Sequence, residues 1–468
     1  MIATPLRPHR RPDSPRRNAS ARVALFLVAL ALSAAACDSA STAGSARPVQ
    51  SGSGPVVSAP SSTSAGGSGS AAGDVGGGGG GPLSGPSAAP SGLLDPAPSS
   101  APQGSPGPSA PTVRGAYDPA RFGFAAKGLR GEVMAFVTTS QVDDALARLD
   151  FASTSTIAYF SLVATANGAI SRDTRWRSWN RPAVDELIAR AHASGTKVVI
   201  SLARFSWSPG ETAASATLLG SAAARARLAG EVADEVVRRG VDGVNVDFEP
   251  IPLGQKANFT DLIRRIRTEL DARRPAYQLT FDVVGHFESY DVAAALAPGG
   301  ADAVYLMGYH YAGTFSTIAH GTAPLGGPRY SVSDAIRGLR AVAKPSQVIV
   351  GVPYYGHLWP TRTGALNART TGRGYDVLYR DARDIGRRRG TTYDPVEKVE
   401  QVAWRDRACP TCPVQWFQLY YDDARSLGAK WAEFQRQGLL GTGVWTSAFE
   451  GTSGELTAAM RKAWRIGG

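Results

Sequence analysis

From about residue 115 onward, short apolar runs of strand character alternate with amphipathic helical runs, and few folds accept that order. The strand candidates are 132–137, 156–163, 197–205, 241–249, 278–284, 303–309, 348–354 and 441–445. Between several of them, segments 182–194, 221–239 and 257–273 place Leu, Ile or Val at helical spacing. Alternation of this kind favours parallel strands, because each helical crossover returns the chain to the same end of the sheet. Eight strands in about 350 residues fit a (β/α)8, or TIM, barrel with insertions. A doubly wound open sheet is the alternative, but no Gly-x-Gly-x-x-Gly turn follows the first strand.

One connection is too long for a simple βα unit. About 85 residues separate Tyr355 from Gly441, where a handful would suffice. Within it, 374–389 reads as a helix, and 399–404 and 414–421 as strands. A small α/β insertion after the seventh strand, about 358–421, is therefore expected. Cys409 and Cys412 fall in the turn between its two strands. With three cysteines in the chain, a disulfide scaffold is excluded. No second ligand pair follows at zinc-finger spacing, so a local disulfide between Cys409 and Cys412 is the expectation.

Composition matters most before the barrel. Residues 1–36 carry six Arg and one Asp, then a 14-residue apolar run from Val23 to Ala36. That run is too short to span a bilayer and suits a signal peptide. It ends Ala34-Ala35-Ala36-Cys37, which also resembles a bacterial lipoprotein signal with Cys37 as the lipidated residue. Segment 37–114 is rich in Gly, Ser, Ala and Pro and nearly uncharged, so it cannot bury enough surface to offset its ordering entropy. A disordered linker is expected there, spanning on the order of 50 Å as a coil. The formal charge of +11 falls to +6 once the leader's six Arg and one Asp are removed. No basic stripe interleaved with aromatics appears, which argues against a nucleic-acid partner.

The chemistry concentrates in Val241-Asp242-Gly243-Val244-Asn245-Val246-Asp247-Phe248-Glu249-Pro250. In a strand, Asn245, Asp247 and Glu249 share one face, opposite Val244, Val246 and Phe248. Pro250 ends the ladder. Three polar groups on one face would be costly inside an ordinary core. They make sense at the mouth of a parallel barrel. A solvated acidic strand end is the bland alternative, and a lone Asp-x-Glu would not displace it.

The full pattern resembles the catalytic motif of glycoside hydrolase family 18, the chitinase family, Asp-x-x-Asp-x-Asp-x-Glu. Asp242, Asp247 and Glu249 match; Asn245 stands where Asp is usual. The resemblance extends along residues 115–468, the catalytic barrel. Met307-Gly308-Tyr309-His310 resembles the family's Met-x-Tyr-Asp, with His310 replacing Asp, and 351–356 resembles its seventh strand, with His357 where Arg is frequent. Trp445 matches the tryptophan that floors a sugar subsite. Ser201-Leu202-Ala203-Arg204 departs from the family's Ser-x-Gly-Gly.

This resemblance implies substrate-assisted, retaining hydrolysis of β-1,4 bonds next to N-acetylglucosamine, in chitin or peptidoglycan. Glu249 is then the acid and base, Asp247 orients the acetamido group, and Tyr309 helps position it. Asp242, Asn245, Met307, Tyr354 and Trp445 are the implied substrate-binding residues, although the strand parity of Asp242 suits an anchor for the strand end. The other strand ends offer no clear carboxylate partner, so Glu249 is expected to be the only carboxylate close to Asp247. No metal or organic cofactor is implied. The partner is the polysaccharide, with membrane contact only through a lipid at Cys37, and a monomer is expected. The location is the bacterial cell envelope, either anchored or secreted. A non-catalytic glycan-binding lectin on the same barrel, or a structural surface protein, would be expected to lack the acid at 249.

Overall fold

The computed structural model describes residues 118–467. The expected leader, the linker and Cys37 lie outside the described residues. Seven parallel strands run in chain order around a barrel: β1 (Glu132–Thr138), β2 (Thr156–Val163), β3 (Lys197–Phe205), β4 (Gly243–Glu249), β5 (Gln278–Val283), β6 (Ala303–Leu306) and β7 (Val348–Pro353). The chain then builds a five-stranded antiparallel sheet from β8 (Tyr355–Thr361), β9 (Tyr375–Leu378), β10 (Thr392–Asp394), β11 (Val399–Arg407) and β12 (Val414–Tyr421). Finally β13 (Gly441–Trp445) pairs with β7 on one side and β1 on the other, and the barrel closes. The expected (β/α)8 fold is thus present, with a sheet inserted after its seventh strand.

The neighbourhood of β4 shows why these residues adopt these elements. The preceding helix, Ala222–Arg239, starts at Ser221, whose hydroxyl accepts the Ala224 amide. It ends at Gly240, which takes the left-handed conformation with φ 65°. Its buried stripe of Leu228, Val232 and Val236 recurs every four residues and packs toward the strands. The following helix, Lys256–Arg273, buries Phe259, Ile263, Ile266 and Leu270. Phe259 meets Phe248 of β4 at 6.0 Å between ring centroids. The outward face of β4 is therefore apolar, which leaves its inward face for polar groups. Gly243 at the strand start has φ 152°, and a Cβ there would stand 2.0 Å from the Gln278 carbonyl oxygen. Only glycine lets β4 and β5 approach at that point.

The barrel interior is filled. Tyr305 of β6 is fully buried and lies across the axis between Gly351 of β7 and Gly443 of β13. A Cβ at either glycine would come within 2.2 Å or 2.3 Å of the tyrosine ring and hydroxyl. Phe136 of β1 packs edge-on against it at 5.1 Å.

Two expected boundaries change. The sixth strand stops at Leu306, short of 309, because its ladder with β5 ends at the pair Val283↔Leu306; His310 beyond it adopts φ 64°. Only Tyr379–Arg389 of the expected helix 374–389 is helical. Residues 375–378 instead pair with β8, from Tyr355↔Leu378 to Leu358↔Tyr375. An available sheet edge overrides the local helical pattern there. Cys409 and Cys412 form a disulfide at the tip between β11 and β12, with Cα atoms 5.0 Å apart. Among the described residues, no helix is long and apolar enough to cross a membrane.

Candidate active site

β4 delivers its inward residues in layers, each about 7 Å further up the axis. Asn245 is lowest and fully buried. Its Oδ1 accepts the Ser201 hydroxyl of β3 at 3.0 Å. Its Nδ2 donates to Thr280 Oγ1 at 3.1 Å and to Asp282 Oδ1 at 2.6 Å, both on β5. Ser201 thus reaches the cluster although its strand departs from the family pattern. Asp247 sits above, 2% exposed, and its Oδ1 is buried without a hydrogen-bond partner. Glu249 is uppermost and partly exposed, at the last position of the strand.

Burial dominates the electrostatics. It pushes Glu249 up to about 7. Asp247 is held well above the usual carboxylate range by burial, then by the charges of Glu249 and Asp282. Asp282 is raised by burial and by Glu249, against the opposing hydrogen bond from Asn245. Among the described residues, no Arg, Lys or His forms an ion pair with any of these three carboxyl groups. Without cations, like charges in a dry site keep protons.

Asp282 was not expected. The reasoning that left Glu249 as the sole carboxylate near Asp247 is corrected by this residue, which enters from the neighbouring strand. Its signal lay in the alternation of Leu279, Phe281 and Val283 with Thr280 and Asp282, the same pattern that marks β4.

Glu249 borders a cavity of about 320 Å³, whose wall includes Met307, Tyr309, His310, His286 and Tyr330. Met307 and Tyr309 therefore line the same cavity as Glu249. Burial and the neighbouring Tyr305 and Tyr355 raise the Tyr309 phenol, so it remains protonated and able to donate. Tyr355 joins it, 6.4 Å away between ring centroids. His310 is pushed down by burial and by His357, and so stays neutral near pH 7. His357 in turn contacts Asp376 at 3.0 Å, which ties β8 and β9 to the cavity wall. Trp445 ends β13 half-buried, against Phe160 at 4.7 Å and Phe136 at 5.5 Å.

Two expected substrate contacts lie elsewhere. Asp242 precedes β4 at the opposite end of the barrel, where its Oδ2 accepts the Val198 amide and meets His192 Nε2, each at 2.8 Å. Five residues of strand separate it from Asp247, a rise of about 17 Å, so it anchors β4 and does not reach the mouth. Tyr354 is buried on the other side of β7, among Ala135, Val444 and Met460. The chain bends at Tyr354 as it passes from β7 into β8, and Tyr355, which packs against Tyr309 and His310, is the tyrosine that faces the site. No group of three or more His, Cys, Asp or Glu among the described residues is arranged to hold a metal ion.

A closed (β/α)8 barrel with buried carboxylates at the C-terminal end of its fourth strand has the architecture of a barrel enzyme, with the cluster at the end where such barrels hold their active sites. More narrowly, residues 130–449 match the model of glycosyl hydrolases family 18, and the chain belongs to that family. Chitinase A1 of Niallia circulans is 28% identical over 297 residues, covering 53% of this chain and 40% of that protein. The chain thus spans less than half the length of that relative. Among solved structures, the class V chitinase from Nicotiana tobaccum superposes with a TM-score of 0.62 at 17% identity, covering 72% of this chain and 99% of that one. The chitinase-like agglutinin from Robinia pseudoacacia superposes with a TM-score of 0.60 at 20% identity, covering 70% and 98%. At these identities the likeness is one of fold.

Proposed function

We propose that this family 18 protein is an exported enzyme that hydrolyses β-1,4 bonds beside N-acetylglucosamine by substrate-assisted retaining catalysis. The observation that carries this reading is Glu249: a carboxyl group pushed to about 7, facing a cavity, with Asp247 one layer below it. A general acid works best with a pKa near the working pH. Glu249 gives its proton to the leaving glycosidic oxygen as the substrate's acetamido oxygen attacks C1. The C1–O bond to the leaving sugar breaks, and an oxazolinium ion remains. Glu249, now ionised, takes a proton from the water that attacks C1, and the ring opens to return the acetamido group with retained configuration.

Asp247, whose Oδ1 is buried and unpartnered, accepts the acetamido N–H once its carboxylate turns toward the cavity beside Glu249, and stabilises the positive charge that develops. Tyr309 donates toward the acetamido oxygen, and the indole of Trp445 covers the apolar face of the sugar. A lectin reading would leave a raised, cavity-facing acid without a task. Export follows from the leader, and lipid anchoring from Cys37.

The substrate is tested by incubating the protein with chitin oligomers and, separately, with purified peptidoglycan, then resolving the products. Replacement of Glu249 by Gln keeps the shape and removes the transferable proton. Hydrolysis should drop by about 10²-fold or more with the fold unchanged. Wild-type turnover by Glu249→Gln on every 2-acetamido substrate would refute the assignment. Bound oligomers left intact by the wild type would favour the lectin.

A further inference from the structure

We propose that Asp282 works as a neutral carboxylic acid that positions Asp247, an inference that rests on the hydrolase reading above. Asp282 lies on β5, is 2% exposed, and has no cation within ion-pair distance among the described residues. Its hydrogen bond with Asn245 gives the carboxyl group a direction. The Asn245 amide is fully committed, because its oxygen accepts from Ser201 and its nitrogen donates to both Thr280 and Asp282. That arrangement orients the amide nitrogen toward Asp282, so Asp282 Oδ1 is the accepting oxygen. A proton on Asp282 therefore resides on Oδ2, where it can be donated within the cluster.

The titratable groups that interact with Asp282 are all acidic or phenolic. β4 contributes Asp247 and Glu249, β6 and its continuation contribute Tyr305 and Tyr309, and Tyr290 stands behind β4. Three carboxyl groups in one dry site cannot all be ionised. The reaction needs Glu249 protonated, to give up its proton, and Asp247 ionised, to accept the acetamido N–H. A proton on Asp282 completes the distribution. The cluster then carries one negative charge, on Asp247, and Asp282 donates a hydrogen bond that steadies that carboxylate, whose Oδ1 is buried without a partner. The proton on Asp282 is not transferred during the cycle, so it is a positioning residue.

Asn at 282 reproduces the neutral acid: its amide oxygen accepts from Asn245, and its amide nitrogen donates where the O–H did. Ala removes both functions. Asp282→Asn should keep kcat and KM within about threefold of wild type, whereas Asp282→Ala should lose about tenfold or more in kcat with KM little changed, the cost of one hydrogen bond to a charged group. A second readout does not depend on turnover. Infrared difference spectra of wild type against Asp282→Asn at neutral pH should show a protonated-carboxyl C=O band in the wild type only. Absence of that band, or an Asn variant as impaired as the Ala variant, would overturn the proposal by showing that the ionised form is the one required. Should Asp282→Ala fail to fold, the Asn variant and the band decide alone. A wild type inert on all 2-acetamido substrates would sink the hydrolase reading, while the infrared band would still report whether Asp282 holds a proton.

Discussion

Asn245→Asp places a third acid on β4, and the structure says what that acid would meet. The amide nitrogen it replaces stands 2.6 Å from Asp282 Oδ1 and 3.1 Å from Thr280 Oγ1. Two oxygens at the first distance are tolerable only with a proton between them, so the new Asp must fold in its protonated form. Its folded pKa is then raised above the unfolded value of about 3.9, and the folded state binds the extra proton. By linkage, stability falls as pH rises between the two values, at about 1.4 kcal/mol per pH unit for one proton. Near pH 4.5 the variant should trail wild type by about 1 kcal/mol, reflecting the weakened Thr280 contact. Near pH 7.5 the gap should widen by about 4 kcal/mol, to about 5 kcal/mol, if the proton is still held, roughly three units at that slope. Urea unfolding at the two pH values measures both gaps, and the native cluster common to both proteins cancels in the difference. A gap that does not change with pH would refute the reasoning. In the folded enzyme, the added acid should also disfavour ionisation of Glu249 and carry the alkaline limb of kcat/KM upward.

Burial opposes ionisation of Asp242, but the hydrogen bonds from His192 and the Val198 amide outweigh it and hold its pKa below the usual range. Its contribution is therefore present above the unfolded pKa and is lost as pH falls; Asp242→Asn should cost about 1–2 kcal/mol near neutrality, less in acid, with kcat unchanged. A fall in kcat larger than the loss of folded protein would return Asp242 to the substrate site. For Cys37, the Ala variant should move from the membrane to the soluble fraction on cell fractionation; equal partitioning of both forms would leave an ordinary secretory signal.

Much of the barrel was legible because the two periodicities, two for strands and 3.6 for helices, alternate so regularly. The strands 156–163, 197–205 and 441–445 form with the bounds their apolar patterns suggest. The site was legible only along one strand. Alternation places Asn245, Asp247 and Glu249 on a common face, but it is silent about which neighbouring strand lends a residue to the same layer. Asp282 becomes a partner through the β4–β5 register, Asn245↔Thr280, which pairing across 35 residues creates. Asp242 was misplaced for a related reason. A motif counts positions, whereas the strand converts them to height, and its first acid lies at the far end of that height. Tyr354 and Tyr355 could not be separated because parity is informative only while the strand is known to continue.

The glycines that accommodate Tyr305 carry a consequence for how this cleft could be re-engineered. Gly351 and Gly443 leave no slack around the ring, and the ring abuts Phe136, which in turn supports Trp445. The height of the Trp445 indole is thus gauged by two missing side chains deep in the barrel. Adding even a methyl at either position would jack the aromatic column upward and change the depth of the cleft without touching a residue that lines it. Libraries aimed at reshaping the cleft should vary the walls supplied by β8, β9 and the loop carrying His310, and leave this column at its native setting.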